Sequence, residues 1–358
     1  MSEIIEPKSA REVADALADA NARGRLVAPR GGGSKMEWGN PPARTDVVLS
    51  TAGLNRIIEH AWADMTVTVE AGCTVAHLQE TLAQHGQRLA IDVLWPERAT
   101  VGGILATNDS GALRLRFGSL RDLIIGMTVA LPDGTIAMSG GKVVKNVAGY
   151  DLPKLMTGAL GTLGVITQAV FRLHPIPHHA HTLTAQLPTA EAAQALMLAI
   201  QDSQLAHGAL QFRTEAGSVD VLLEGTEAGI QSQESALQKM APFTEGSASM
   251  WNARQELWPS AAIAKVSVLP SQIAETLKQL NPTRAVVQAN GIGYATLSGD
   301  PAAARRIVEA KGGSLVLLTP SSLDAWGTPG DTLPLMRAVK QQFDPSAILN
   351  RGRFVGGL

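Results

Sequence analysis

Hydrophobic positions along the chain recur with two periods, and the changes from one to the other mark its elements. Ala10, Val13, Ala14, Leu17 and Ala18 fall on one helical face. Ser9 and Glu12 form a capping box before that face, and Gly24 stops it. The stretch "TVAHLQETLAQHG" (74–86) predicts a second amphipathic helix closed by Gly86. "MTVTVEAG" (65–72) alternates as a half-buried strand, and "RLVAP" (25–29) and "DVVLS" (46–50) read as two more. "LNRIIEHA" (54–61) predicts a helix. "MTVALPDGTIAMSG" (127–140) predicts a hairpin turning at Pro132, Asp133 and Gly134, and "VITQAVFRL" (165–173) a strand that ends at Pro175.

The texture changes at "HPIPHHAHTL" (174–183), where two prolines and four histidines suggest a crossover between domains. A strand (182–187), a helix (189–202, capped by Thr189), strands at 209–213 and 219–224 and a helix at 227–240 follow. A second set comprises helix 250–258, strand 263–268, helix 270–280, paired strands 284–290 and 293–298, helix 301–311 and strand 314–318. That order predicts a smaller antiparallel sheet backed by helices. The tail reads as a helix, an Asp344-Pro345 turn and a short glycine-containing end.

Composition sets outer bounds. The 358 residues are 45% hydrophobic and 17% charged, enough for a sizeable core and for two domains. A net charge of −2 gives no basic field for nucleic acid or an anionic membrane. The single Cys73 excludes an internal disulfide and a cysteine-based cluster, and it fits a reducing compartment. The first 26 residues lack the basic-then-apolar order of a signal peptide, and no apolar run reaches spanning length. The expectation is a cytoplasmic protein that meets a membrane only through partners.

Candidate chemistry lies in bare, glycine-rich loops. "PRGGGSK" (29–35) follows a predicted strand. Successive N–H groups in such a turn surround a diphosphate, because no Cβ blocks the approach. Ser34 adds a hydroxyl and Lys35 a charge. No G-x-G-x-x-G opens a helix, and no G-x-x-x-x-G-K-[ST] occurs, which argues against a Rossmann site and a P-loop. Alone, the loop is either a flexible turn or a cradle. "ATVGG" (99–103), "NDSG" (108–111) and "GTLGVI" (161–166) add further loops of the same kind, so together they imply an elongated ligand held at several places.

These stretches, with "RFGSLRDLIIG" and "VVKNVAGYDLPKLMTGALGTLGVITQAVFRLHPIP", resemble the FAD-binding domain of the vanillyl-alcohol oxidase/p-cresol methylhydroxylase (PCMH-type) superfamily. The run "GGKVVKNVAGYDLPKLMTGALGTLGVI" is similar to the FAD-binding subunits of three-subunit glycolate oxidases. The resemblance implies an α+β fold: a PCMH-type FAD-binding domain of two α/β subdomains (1–174), an inserted ferredoxin-like cap (175–333) and a C-terminal segment (334–358) returning to the FAD domain. It implies that the amides of Gly31, Gly32, Gly33, Ser34 and Lys35 hold the FAD pyrophosphate. Thr100, Gly102 and Gly103 then lie along flavin and diphosphate, and Asn108, Ser110 and Gly111 complete that wall. Gly161, Gly164, Val165 and Ile166 support the adenosine side, and Asn350 sits near the flavin, although Arg351 stands where the family has Pro. No His or Cys closely follows the first glycine loop, so the FAD is expected to be non-covalent.

Other residues carry competing readings. His174, His178, His179 and His181 fit no zinc spacing and read as linker histidines. Sister 2-hydroxy-acid dehydrogenases carry "H-x-G-D-G-N-x-H" near the flavin. Here the corresponding stretch is "ANGIGYAT" (289–296), with Ala289 and Thr296 at the histidine positions and Tyr294 for Asn, so no metal site is expected. Arg254 is the candidate for a substrate carboxylate, or else a helix-surface arginine beside Trp251 and Trp258 on one face. Lys142, Lys145 and Asp151 either pair structurally or shape the flavin pocket. Arg114 and Arg116, in an extended stretch, form either an anion site or a solvated edge. Cys73 reads as a small packed residue.

Three functions remain open. The first is an FAD subunit oxidising a small 2-hydroxy acid such as glycolate, passing electrons to a sister flavin subunit and an iron–sulfur subunit. The second is an FAD-binding relay and assembly subunit with no substrate oxidation of its own. The third is a stand-alone flavin oxidase of another small alcohol or acid.

Overall fold

The structure, a computed structural model, describes residues 2–141, 150–258, 260 and 262–358. Lys142 and Lys145 lie outside the described residues. The chain divides into two compact units. One comprises Met1–Ser110, Gly118–Ile176 and Thr328–Leu358; the other comprises Gly111–Phe117 and Pro177–Gly327.

The first unit begins with a parallel three-stranded sheet in the order Glu3–Ile5, Val47–Ser50, Val27–Arg30. The helix Ala10–Ala22 covers it, burying Val13, Ala14, Leu17 and Ala20. Ser9 Oγ accepts from Glu12 N at 3.2 Å, but the Glu12 carboxylate reaches Lys8 N (2.9 Å), one residue earlier than a capping box requires. A five-stranded antiparallel sheet follows, ordered Ile57–Ala61, Thr66–Glu70, Val165–Arg172, Ile124–Ala130, Ile136–Gly140.

The helix expected at 54–61 is therefore a strand at Ile57–Ala61 on the edge of this sheet. Leu54 is buried in the other core, with Val27 and Leu49, and is not on the same face as the isoleucines. Glu70 N donates to Arg56 O and Arg56 N to the Glu70 carboxylate, which fastens the segment alongside Thr66–Glu70. β-Branched Ile57 and Ile58 suit that pairing better than a helix.

The C-terminal segment closes this unit. Val27 N donates to Ile348 O (2.8 Å) and Asn350 N to Val27 O (2.9 Å), so the tail runs parallel beside a buried strand. Lys340, on the helix Leu333–Phe343, is 6% exposed. Its ammonium donates to Asp344 Oδ2 (2.6 Å), Thr162 O (2.7 Å) and Leu349 O (3.1 Å). Asp344 in turn accepts from the amides of Ile348 (3.1 Å) and Leu349 (2.8 Å). Burial pulls the Lys340 pKa down and Asp344 opposes that pull.

The second unit is built on one antiparallel sheet of eight strands. Their order is Phe243–Glu245, His179–Gln186, Ser218–Gly225, His207–Arg213, Arg284–Gln288, Ile292–Thr296, Ile263–Ser267, Ser314–Leu317. In sequence they form two consecutive β-α-β-β-α-β sets, each with the strand order 4-1-3-2, joined where His207–Arg213 pairs with Arg284–Gln288. Each set has the ferredoxin-like arrangement. The sheet has eight strands where the first unit's largest has five, so it is not the smaller one expected.

Two further expectations fail here. The helix expected at 250–258 is two 3₁₀ turns, Ala248–Asn252 and Gln255–Leu257. Trp251 Nε1 donates to Thr182 Oγ1 (3.0 Å), and the Arg254 guanidinium lies 5.0 Å from the Tyr294 ring centroid. Those two anchors are three residues apart, a spacing that a 3₁₀ turn eclipses. Arg114 and Arg116 stand on a helical turn, Arg114–Phe117, because Leu115 between them packs into the second unit's core. Among the described residues no helix is long and apolar enough to cross a membrane.

Asp344→Ala leaves the Lys340 ammonium buried without its carboxylate. It is expected to destabilise the protein by about 3–5 kcal/mol, read as a lowered midpoint in urea unfolding.

Candidate cofactor site

A cleft in the first unit, roughly 780 Å³ including space open to solvent, is bounded by the first glycine loop, the helix Val101–Thr107, the loop before Val165 and the tail. Of the residues singled out in the sequence, Gly31, Gly32, Gly33, Ser34, Lys35, Thr100, Gly102, Gly103, Gly161, Gly164, Val165, Ile166 and Asn350 all line it.

The triple glycine is dictated by contact. A Cβ on Gly31 would collide with Thr100 Oγ1, and one on Gly32 with the Arg98 carbonyl oxygen. Gly33 has φ +69°, in the left-handed region. The N–H groups of Gly32, Gly33 and Ser34 donate to no acceptor among the described residues. A run of unpaired amides with no side chains over it is an anion cradle.

The second wall works differently. Thr100 caps its helix, with Oγ1 accepting from Gly103 N at 3.4 Å. Gly102 N is already spent on Ala71 O at 2.7 Å, and a Cβ there would stand 2.9 Å from Ala71 Cβ. Gly102 therefore thins the wall and offers no donor. On the third side Gly161 has φ +68°, and a Cβ there would stand 3.3 Å from Asn350 Nδ2. Asn350, itself at φ 42° and 3% exposed, donates Nδ2 to Leu160 O at 2.6 Å. Its Oδ1 is buried and has no partner among the described residues. Such an orphaned acceptor, in a strained backbone on a cleft wall, points to a ligand donor.

Asn108, Ser110 and Gly111 do not line the cleft. Asn108 ends the helix in the left-handed conformation at φ 48°, Ser110 is buried, and Gly111 belongs to the second unit. The Lys35 ammonium is also turned to another purpose. It lies 3.2 Å from Asp109 Oδ2 and donates to Leu94 O (3.0 Å), with Asp109 wholly buried. Sequence reasoning passed over Arg353, whose Nη2 donates to the carbonyls of Lys35 (3.2 Å), Met36 (2.6 Å) and Trp38 (3.1 Å). Burial pushes its pKa down to about 10, which leaves it charged at neutral pH. Arg30, at the mouth of the first loop, was also unassigned. The one available signal was arginine at both edges of a glycine-rich pattern.

The remaining candidates lie elsewhere. Arg254 is in the second unit, 6% exposed, and donates to Tyr294 Oη at 3.2 Å; it is not a helix-surface arginine. Ala289 and Thr296 are both buried. His174 is paired in a short ladder beside Arg88, and burial lowers its pKa, with Arg172 and Arg88 adding to the effect. His178, His179 and His181 are exposed, and His181 Nδ1 meets Glu234 Oε1 at 2.9 Å. Asp151 caps the short helix Leu152–Met156 and pairs with Lys154 at 2.9 Å. Cys73 is 1% exposed, and burial, aided by Glu70, raises its thiol pKa to about 11.

Residues 1–139 match the family described as the FAD binding domain. Mitochondrial D-lactate dehydrogenase [cytochrome] of Arabidopsis thaliana is 31% identical over 275 residues, 71% of this chain and 48% of that protein. Glycolate oxidase subunit GlcD of Bacillus subtilis is 31% identical, over 58% of this chain and 44% of that protein. D-2-hydroxyglutarate dehydrogenase of Xanthomonas citri pv. viticola is 26% identical, over 98% of this chain and 88% of that protein. The chain spans less than half the length of the first two relatives. Among solved structures, alkyldihydroxyacetonephosphate synthase aligns with a TM-score of 0.71 at 18% identity, covering 97% of this chain and 76% of the other, which is a likeness of fold.

The cleft suits this cofactor. FAD brings a diphosphate to a cradle of unpaired amides, and donors to the orphaned Asn350 oxygen. Gly32→Ala must displace the Arg98 carbonyl to fit its methyl group. It is expected to weaken FAD binding at least about tenfold, a loss within the usual cost of backbone strain at a special position, read by quenching of flavin fluorescence on titration.

Proposed function

We propose that this chain is the FAD-binding subunit of a 2-hydroxy-acid oxidase or dehydrogenase of the glycolate type. In this reading its electrons pass to a sister flavin subunit and an iron–sulfur subunit. The observation that carries it is the unpaired amide run of Gly32, Gly33 and Ser34 lining the same cleft as Asn350, whose side-chain oxygen is orphaned. The relatives, named for D-lactate, glycolate and D-2-hydroxyglutarate, support a small 2-hydroxy acid as donor.

FAD, when bound, supplies the acceptor for the two electrons of a CH–OH group. This chain's residues bind and orient it. Gly32, Gly33 and Ser34 offer N–H groups to the diphosphate, Asn350 Oδ1 offers an acceptor, and Met156, Ala159, Leu160 and Leu163 keep water from the inner wall. The thiol of Cys73, held protonated and buried, is a poor nucleophile and suits a non-covalent cofactor.

A second reading, an electron-relay and assembly subunit, is favoured by one specific observation. Arg254, the residue available for a substrate carboxylate, is buried against Tyr294. The two readings separate on anaerobic mixing of FAD-loaded chain with glycolate or D-lactate. Bleaching of the flavin absorbance by the chain alone is the expected outcome. Unchanged absorbance, with turnover only after the partner subunits are added, would establish the relay instead.

A further inference from the structure

Three cationic side chains border the first glycine loop, and they are not equivalent. The Lys35 ammonium is committed to Asp109 and Leu94 O, and it lies 5.8 Å from the ring centroid of Trp38 and 5.5 Å from that of Trp95. The Arg353 guanidinium is committed to three carbonyls behind the loop. Those two cations hold the turn in shape. Arg30 differs: it lines the cleft, is half-buried, and its guanidinium has no hydrogen-bond or ion-pair partner among the described residues.

The fold fixes where its side chain starts. Arg30 is the last residue of the strand Val27–Arg30, pairs in register with Ser50, and accepts from Thr51 N at 2.8 Å. Its Cδ lies 3.9 Å from where a Cβ of Gly33 would stand, which brings the side chain beside one residue of the unpaired amide run. A guanidinium presents several N–H donors in one plane and pairs with phosphate oxygens in a bidentate fork. Leaving such a group without a partner beside an anion cradle costs little in a half-open cleft, and it gains a strong interaction when an anion arrives.

The geometry points to Arg30 as the residue that meets the diphosphate of the dinucleotide, the role that the motif suggested for Lys35. It makes the cleft selective for a diphosphate-bearing flavin over the bare isoalloxazine. The inference rests on the FAD-binding reading and is tested against it with one ratio, the dissociation constant for riboflavin divided by that for FAD. Wild-type protein that fails to bind FAD overturns the cofactor reading itself. Given wild-type binding, Arg30→Met is expected to lower the ratio about 10- to 100-fold, the range for losing a charge-assisted hydrogen bond. Arg30→Lys is expected to recover part of it, and the unfolding midpoint of FAD-free Arg30→Met to stay at the wild-type value. FAD binding by the wild type is expected to weaken with added salt more steeply than binding by Arg30→Met. An unchanged ratio, or an equal loss of riboflavin and FAD binding, overturns the assignment.

Discussion

The main chain at Gly31 and Gly32 passes so close to Thr100 and the Arg98 carbonyl that a methyl group at either glycine has no room. From that approach the rest of the cofactor cleft follows. Because the loop is pressed against the start of the helix Val101–Thr107, its next amides, at Gly32, Gly33 and Ser34, cannot turn back to bond the sheet they came from. They remain unpaired on residues that line the cleft, which stabilises the fold less than satisfied amides would and prepares a site for an anion.

Such a loop holds its shape only if its flanks are fixed, and the chain uses distant residues to fix them. Arg353, about as far from the loop as the sequence allows, gathers the carbonyls of Lys35, Met36 and Trp38. Asp109 holds the Lys35 ammonium. Lys340 binds Thr162 O and Leu349 O, tying the tail to the wall that carries Gly161 and Asn350. The first unit is therefore closed by its last twenty residues, and the cofactor cleft depends on the tail as much as on the glycine motif. Buried charges of this kind contribute modest net stability but are costly to break singly, which makes them good fixers of geometry.

Most elements were legible from periodicity because one physical cause, burial of a single face, set the pattern. The helices at Ala10–Ala22 and Ala190–Asp202 and the hairpin around Pro132–Gly134 are cases in point. The failures share another cause. At 54–61 the apolar residues serve two cores, so their spacing imitated a helix. At 250–258 the anchors Trp251 and Arg254 answer to partners on a sheet, and at Arg114–Phe117 Leu115 answers to the second core. In the site, glycines were readable because close approach leaves few alternatives to Gly. Asn108, Ser110 and Gly111 misled because their small polar character suits helix termination as well as ligand contact. Lys35 misled because a side chain's direction is not written in its neighbours, and Arg353 was invisible because its task is set by residues more than 300 positions away.

The central claim is that one ligand is held at once by the first glycine loop, the loop around Gly161 and the tail around Asn350. Hydrogen–deuterium exchange with and without FAD tests it directly. Amides at 32–34, 160–164 and 350–353 are expected to gain protection together on FAD addition. FAD that binds while the amides at 32–34 exchange as fast as before would contradict the account.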